Sequence, residues 1–257
     1  MDEGAQVVAG MWDRENEPTS EANRGRKLRV GVIYLWSTAA ISVLTIVSST
    51  MGIFVASTYA RDAPAWAMQA RGQDLANSVA VLVLLVGGFA MVKSSARGFQ
   101  IWVGALLFLI YGFVIYAFAS AFNDLFLVYV ATLGILVYTF LGGVVRSDFA
   151  VIRKEAPTKG RARVALGLLL ILLAFGFYLL WLSQDIPALV AGTVPLSVTQ
   201  AGLLSNPVHV LDLGIFLPAF ILTGISLLRN GTLGHVFAPS LLVFGLLTML
   251  GIAFIIF

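Results

Sequence analysis

Cysteine is absent from the 257 residues, charged residues make up only 11% of the chain, and there are just two histidines. The first absence removes disulfides, thiolate metal sites, iron–sulfur clusters and cysteine nucleophiles together. The scarcity of charge excludes an ordinary water-soluble domain, where about a quarter of residues are charged. What is there instead is apolar: 59% of residues are hydrophobic and the mean hydropathy is +0.94. Runs of roughly 20 apolar residues, enough to cross about 30 Å of hydrocarbon, recur along the chain. The composition describes a polytopic membrane protein whose first partner is the lipid bilayer. Nothing in it supports binding to nucleic acid.

Seven apolar segments follow one another, at approximately Val30 to Ser57, Leu75 to Val92, Gln100 to Ser120, Leu125 to Val145, Val164 to Leu182, Val208 to Leu228 and His235 to Phe257. Each is long enough to span as a helix, and none alternates polar and apolar residues as a barrel strand would. The expected fold class is therefore all-α, a polytopic transmembrane bundle of seven helices over residues 30–257. Residues 1–29 differ. Met1 to Glu21 is acidic, whereas Arg24, Arg26, Lys27 and Arg29 form a basic run at the membrane edge. This reads as a disordered cytoplasmic tail ending in an anchor, and not as a cleaved signal, whose basic segment would lie at the very start.

Basic residues set the orientation. With the N-terminus inside, the inner segments hold Arg14, Arg24, Arg26, Lys27, Arg29, Lys93, Arg97, Arg146, Arg153, Lys154, Lys159, Arg161, Arg163 and Arg229, which is 14 of the 16; only Arg61 and Arg71 fall outside. The expectation is N-terminus inside, C-terminus outside, in a prokaryotic cytoplasmic membrane, with anionic lipid headgroups against basic segments such as Arg146 to Arg163. The connection Ser183 to Asn206, which contains Pro187 and Pro195, reads as a short interfacial helix or lid, or as a plain connector. The tight turn Arg229 to Gly234 predicts that the last two helices pack as an antiparallel pair.

Polar residues are costly inside a membrane, so they mark the candidate site. They gather where the second, fourth and sixth helices begin: Asp74 and Asn77; Asn123 and Asp124; Asn206, His209 and Asp212. Asp74, Asn123 and Asn206 with Pro207 have the chemistry of helix caps, and Asp124 that of a first-turn acid. His209, Asp212 and Asn77 sit within helices, where capping does not account for them. His209 and Asp212 are three apart on one helical face, so each is the other's expected partner. A carboxylate–imidazole pair in a partly desolvated setting suits proton coupling, quinone contact or base chemistry, and equally a polar clamp between helices. Pro218 has no N–H for the Gly214 carbonyl and should bend the helix. Gly87-Gly88, Gly142-Gly143 and Gly224 read as close helix contacts. Tyr111, Tyr116, Tyr129 and Tyr138 either line a cavity or pack.

Several chemistries are excluded. The seventh helix has no lysine for a retinal, the two histidines belong near opposite faces and do not bracket a haem, and they are too few for a zinc hydrolase. No catalytic residue, metal ligand or cofactor is assigned. The stretch from Asn206 to Leu247, carrying Asn206-Pro207-x-His209-x-x-Asp212, Pro218 and a short turn, resembles the C-terminal part of a family of prokaryotic multi-pass proteins described only as integral membrane proteins. The resemblance implies the seven-helix fold and no activity. The functional expectation is a small transport component or sensor with a polar site near the outer leaflet. An accessory subunit, facing a protein partner or a second copy of the chain, and an intramembrane enzyme are the alternatives.

Overall fold

The computed structural model describes residues 20–155 and 157–256, with side chains from Ile33 onward. The expected tail at residues 1–19 lies outside the described residues. Among the described residues ten α-helices run in order: α1 (Ser20–Phe54), α2 (Pro64–Val92), α3 (Ala96–Ala119), α4 (Phe126–Arg146), the short α5 (Phe149–Glu155), α6 (Gly160–Ala191), the short α7 (Leu196–Ala201), α8 (Pro207–Leu211), α9 (Leu217–Leu228) and α10 (Thr232–Ile256). A single π-helical turn, Asp212–Phe216, joins α8 to α9, so these form one span. Seven spans are long and apolar enough to cross a membrane, and no strand occurs among the described residues. The chain is an all-α bundle that fits a multi-pass membrane protein.

Several boundaries differ from the sequence reading. Helix α1 begins at Ser20, within the segment expected as tail. Helix α2 begins at Pro64, whose fixed φ and missing N–H suit a first helical position, so Asp74 lies well inside it and is not a cap. Helix α6 continues through Pro187 to Ala191, absorbing the first part of the expected connection. It stops at Gly192, which takes the left-handed conformation (φ 66°) while the Thr193 N–H turns back to the Ala188 carbonyl. The short α7 then rests on α2.

Helix α3 is the axis, with α2, α4 and α10 packed around it. Lipid gives helices no hydrophobic reason to associate, so close packing and side-chain hydrogen bonds must hold them. Both meet at Trp102 of α3, which is fully buried, donates from Nε1 to Thr38 Oγ1 of α1 at 2.8 Å, and takes the edge of Tyr34 at a ring separation of 5.5 Å. A methyl on Gly87 would fall 2.6 Å from the Trp102 backbone nitrogen, and one on Gly143 2.7 Å from its ring. On the far side α6 lies along α9, with the backbones so close at Gly167 and Gly224 that a Cβ on Gly224 would sit 2.7 Å from the Gly167 carbonyl. Helices α9 and α10 pack as the expected antiparallel pair. With successive spans alternating in direction, the beginnings of α2, α4 and α8 share one face of the bundle, the Asn206 face; α5 lies at the opposite one, the Arg153 face.

Candidate functional site

The polar residues at the Asn206 face form two groups on different sides of α3. Asp74 heads the first. It is 1% exposed, and its oxygens accept from the Tyr59 hydroxyl (Oδ2, 2.8 Å) and the Tyr116 hydroxyl (Oδ1, 2.8 Å). The room for this carboxylate is made by Gly52 of α1, where any side chain would overlap Asp74 Oδ2. Asn77, one turn deeper and fully buried, faces the same tyrosine (Nδ2 to Tyr116 Oη, 3.5 Å) and accepts from Gln73 Nε2 at 3.0 Å. Tyr129 of α4 stacks on Tyr116 with centroids 5.0 Å apart, and its hydroxyl is buried without a hydrogen-bond partner, as is the Asn123 amide nitrogen.

Tyr59 is on the connection between α1 and α2. Burial pushes its phenol well above the usual range, and the neighbouring Asp74 adds to this, so it acts as a hydrogen-bond donor. The same connection is fastened to the next one. The Asp62 carboxylate accepts from the Ala121 N–H at 2.8 Å, and Arg61 donates to the Phe122 carbonyl at 2.8 Å. Burial pushes the Asp62 carboxyl up, opposed by that N–H.

The second group is a two-rung ladder between antiparallel helices. His209 Nδ1 lies 2.9 Å from Asp185 Oδ1, and Asp212 Oδ2 accepts from Trp181 Nε1 at 2.8 Å. Residues 209 and 212 share a face of their span and 181 and 185 share one of α6, so the rungs are in register. The expected His209–Asp212 pairing is thereby corrected: both reach α6, and neither bonds to the other or to α2 or α4. The indole of Trp181 lies against the imidazole, with centroids 4.4 Å apart and planes 31° from parallel. His209 is 4% exposed, and its Nε2 is buried with no partner. With Nδ1–H directed at the carboxylate, Nε2 is a hydrogen-bond acceptor without a donor.

The backbone below this ladder is irregular for an identifiable reason. The Leu217 N–H bonds five residues back to the Asp212 carbonyl, so Leu213 loses its usual α-helical donor. In the π register its donor would be residue 218, which is proline. The Tyr178 hydroxyl of α6 fills the vacancy, donating to the Leu213 carbonyl at 3.0 Å. Where a bend was expected at Pro218, the backbone takes a π-turn with a tyrosine prop just before it. Asp212 also forms part of the wall of a mainly apolar cleft of about 170 Å³ between α6, α9 and α10, lined by Phe177, Phe216, Phe220 and Phe244 with Thr248 as the other polar side chain.

Asn206 is the cap expected of it, its Oδ1 accepting from the N–H groups of Val208 (3.0 Å) and His209 (3.3 Å). Asn123 Oδ1 accepts from the Leu125 N–H at 2.9 Å, an Asx turn ahead of α4. Asp124 is exposed in that turn, outside the first turn of α4, and joins neither group. Tyr111 on α3 faces Asp212, while Tyr116 five residues on reaches Asp74. A five-residue step is about 7.5 Å along and about 140° around a helix, so α3 separates the two acids. Among the described residues the one contact between a basic side chain and a carboxylate is His209–Asp185, an ion pair only when the imidazole is protonated, and no group of three His, Asp or Glu could hold a metal.

No protein-family model, curated protein or solved structure matches the chain.

Proposed function

We propose that this protein is a small transport component of a prokaryotic cytoplasmic membrane in which Asp74 and Asp212 bind protons on opposite sides of α3. The carrying observation is Asp74. It is 1% exposed inside a spanning helix, and its partners are two tyrosine hydroxyls and no lysine or arginine. An acid in that setting is neutralised by a proton or by a cationic substrate, and among the described residues no basic side chain does so. Tyr59 connects the acid to the loop at the Asn206 face, and Asp212 borders an apolar cleft through which an amphipathic solute could approach. The division of basic residues supports an N-terminus inside and a C-terminus outside, with anionic headgroups against the basic segments of the Arg153 face.

The test needs no substrate. Full-length protein adsorbed in proteoliposomes on a solid-supported membrane is subjected to a pH jump, which displaces charge when protons enter a site within the membrane. Wild type gives a transient current, Asp74→Asn a smaller one, and the Asp74→Asn/Asp212→Asn double variant none. Equal transients from all three would dismiss the proposal.

A further inference from the structure

The Arg153 face holds a second site of different chemistry. Between α5, the start of α6 and the turn into α10 lies a cavity of about 550 Å³. Arg153, Lys154, Lys159 and Arg163 line it together with Asn230 and His235, and no acid is among the lining residues. None of the four cations forms an ion pair among the described residues.

Several parts of this wall are fixed. Arg153 is held by a hydrogen bond from Nη1 to Thr232 Oγ1 at 3.0 Å. His235 is 3% exposed and tied at both ring nitrogens: Nδ1 accepts from the Thr158 N–H at 3.2 Å, and Nε2 lies 2.8 Å from Asn230 Oδ1. Accepting at Nδ1 leaves the proton on Nε2, so the ring is the neutral tautomer and acts as a strut between the α5–α6 connection and the turn before α10. The ring adds no charge to the cavity, and its positive character belongs to the four side chains.

The arrangement runs against helix electrostatics in a way that a bound anion would resolve. Helix α6 begins with cations at Lys159, Arg161 and Arg163, has no acid in its first turn, and has no side chain capping its first N–H groups. A helix N-terminus carries partial positive charge and favours acids, so these cations repel both it and each other. Arginine forks and lysine ammonium groups converging on one cavity form the donor set that recognises tetrahedral oxyanions.

We propose that this cavity is a binding site for a phosphate group, held by Arg153, Lys154, Lys159 and Arg163. The group is carried either on a lipid headgroup or on a free anion. The site rests in part on the headgroup contact proposed above, which it narrows from a diffuse attraction of basic segments to one position at the Arg153 face.

The experiment uses the full chain purified in a neutral detergent at constant ionic strength, with thermal stability as the readout. Inorganic phosphate is titrated in one arm, short-chain phosphatidic acid in a second, and phosphatidylcholine of the same chain length in a third. The expected result is a saturable rise in Tm with phosphatidic acid, inorganic phosphate or both, and a smaller one with phosphatidylcholine. The arm that responds identifies the source. Arg153→Gln and Arg163→Gln should each weaken the apparent affinity about tenfold, and Lys159→Gln serves where either variant elutes as aggregate. Arg161→Gln, in the same helical turn but outside the lining, should leave affinity unchanged. No saturable response in any arm overturns the site. Equal weakening by Arg161→Gln and Arg163→Gln also overturns it, while leaving the diffuse headgroup contact standing.

Discussion

The Tyr116 hydroxyl lies 2.8 Å from Asp74 Oδ1, so the single acid of α2 is tied to the central helix through a phenol. Tyr59 completes the clamp on the other oxygen. Removing one hydroxyl leaves part of a buried carboxyl group without its donor, a loss of about 1–3 kcal/mol. Tyr116→Phe and Tyr59→Phe should therefore each lower the thermal midpoint in detergent. Because the two donors share one acid, the double variant should depart from the sum of the single losses. Additive losses would mean that the tyrosines act independently of Asp74.

The prop at the π-turn makes a second prediction. Tyr178→Phe leaves the Leu213 carbonyl without its hydroxyl donor and should cost about 1–3 kcal/mol. Pro218→Ala restores an N–H that can reach this carbonyl or that of Gly214. In the Pro218→Ala background Tyr178→Phe should then cost clearly less, as read from the four midpoints of a double-mutant cycle. An unchanged cost would show that the hydroxyl is not compensating for the proline.

Orientation is tested with reporter fusions in cells. A fusion at Phe257 should report the outside and one after Lys159 the inside, following the 14 to 2 division of basic residues. The opposite pattern would reverse the sidedness assigned to both sites.

The seven spans were legible because hydrocarbon thickness imposes a length and a composition that each segment must meet alone. The helix ends were not. The segment Pro64 to Asp74 contains Gln69, Arg71, Gln73 and Asp74, so hydropathy rises only at Leu75, although the helix has already begun. For this reason Asp74 resembled a cap. Pro187 likewise suggested a stop, yet near a helix end a proline leaves few carbonyls unpaired, and α6 continues to Ala191 and carries Asp185 within it. Periodicity correctly placed His209 and Asp212 on one face. It could not identify what that face meets, because Asp185 and Trp181 are brought there by the packing of α6 on α9, through the small residues Gly167 and Gly224. Tyr59 belonged to no span and carried no local sign of its role. Tyr116 was one of four tyrosines with equal claims, and only its reach to Asp74 distinguishes it.

The central claim is that Asp74 and Asp212 each take up a proton inside the bundle. Infrared difference spectroscopy of the reconstituted full-length protein, recorded between a low and a high pH, measures this directly through the carbonyl stretch of a protonated carboxylic acid. The account predicts two such bands that shift in deuterated water, one missing in Asp74→Asn and the other in Asp212→Asn. A wild-type difference spectrum that both variants reproduce unchanged would contradict it.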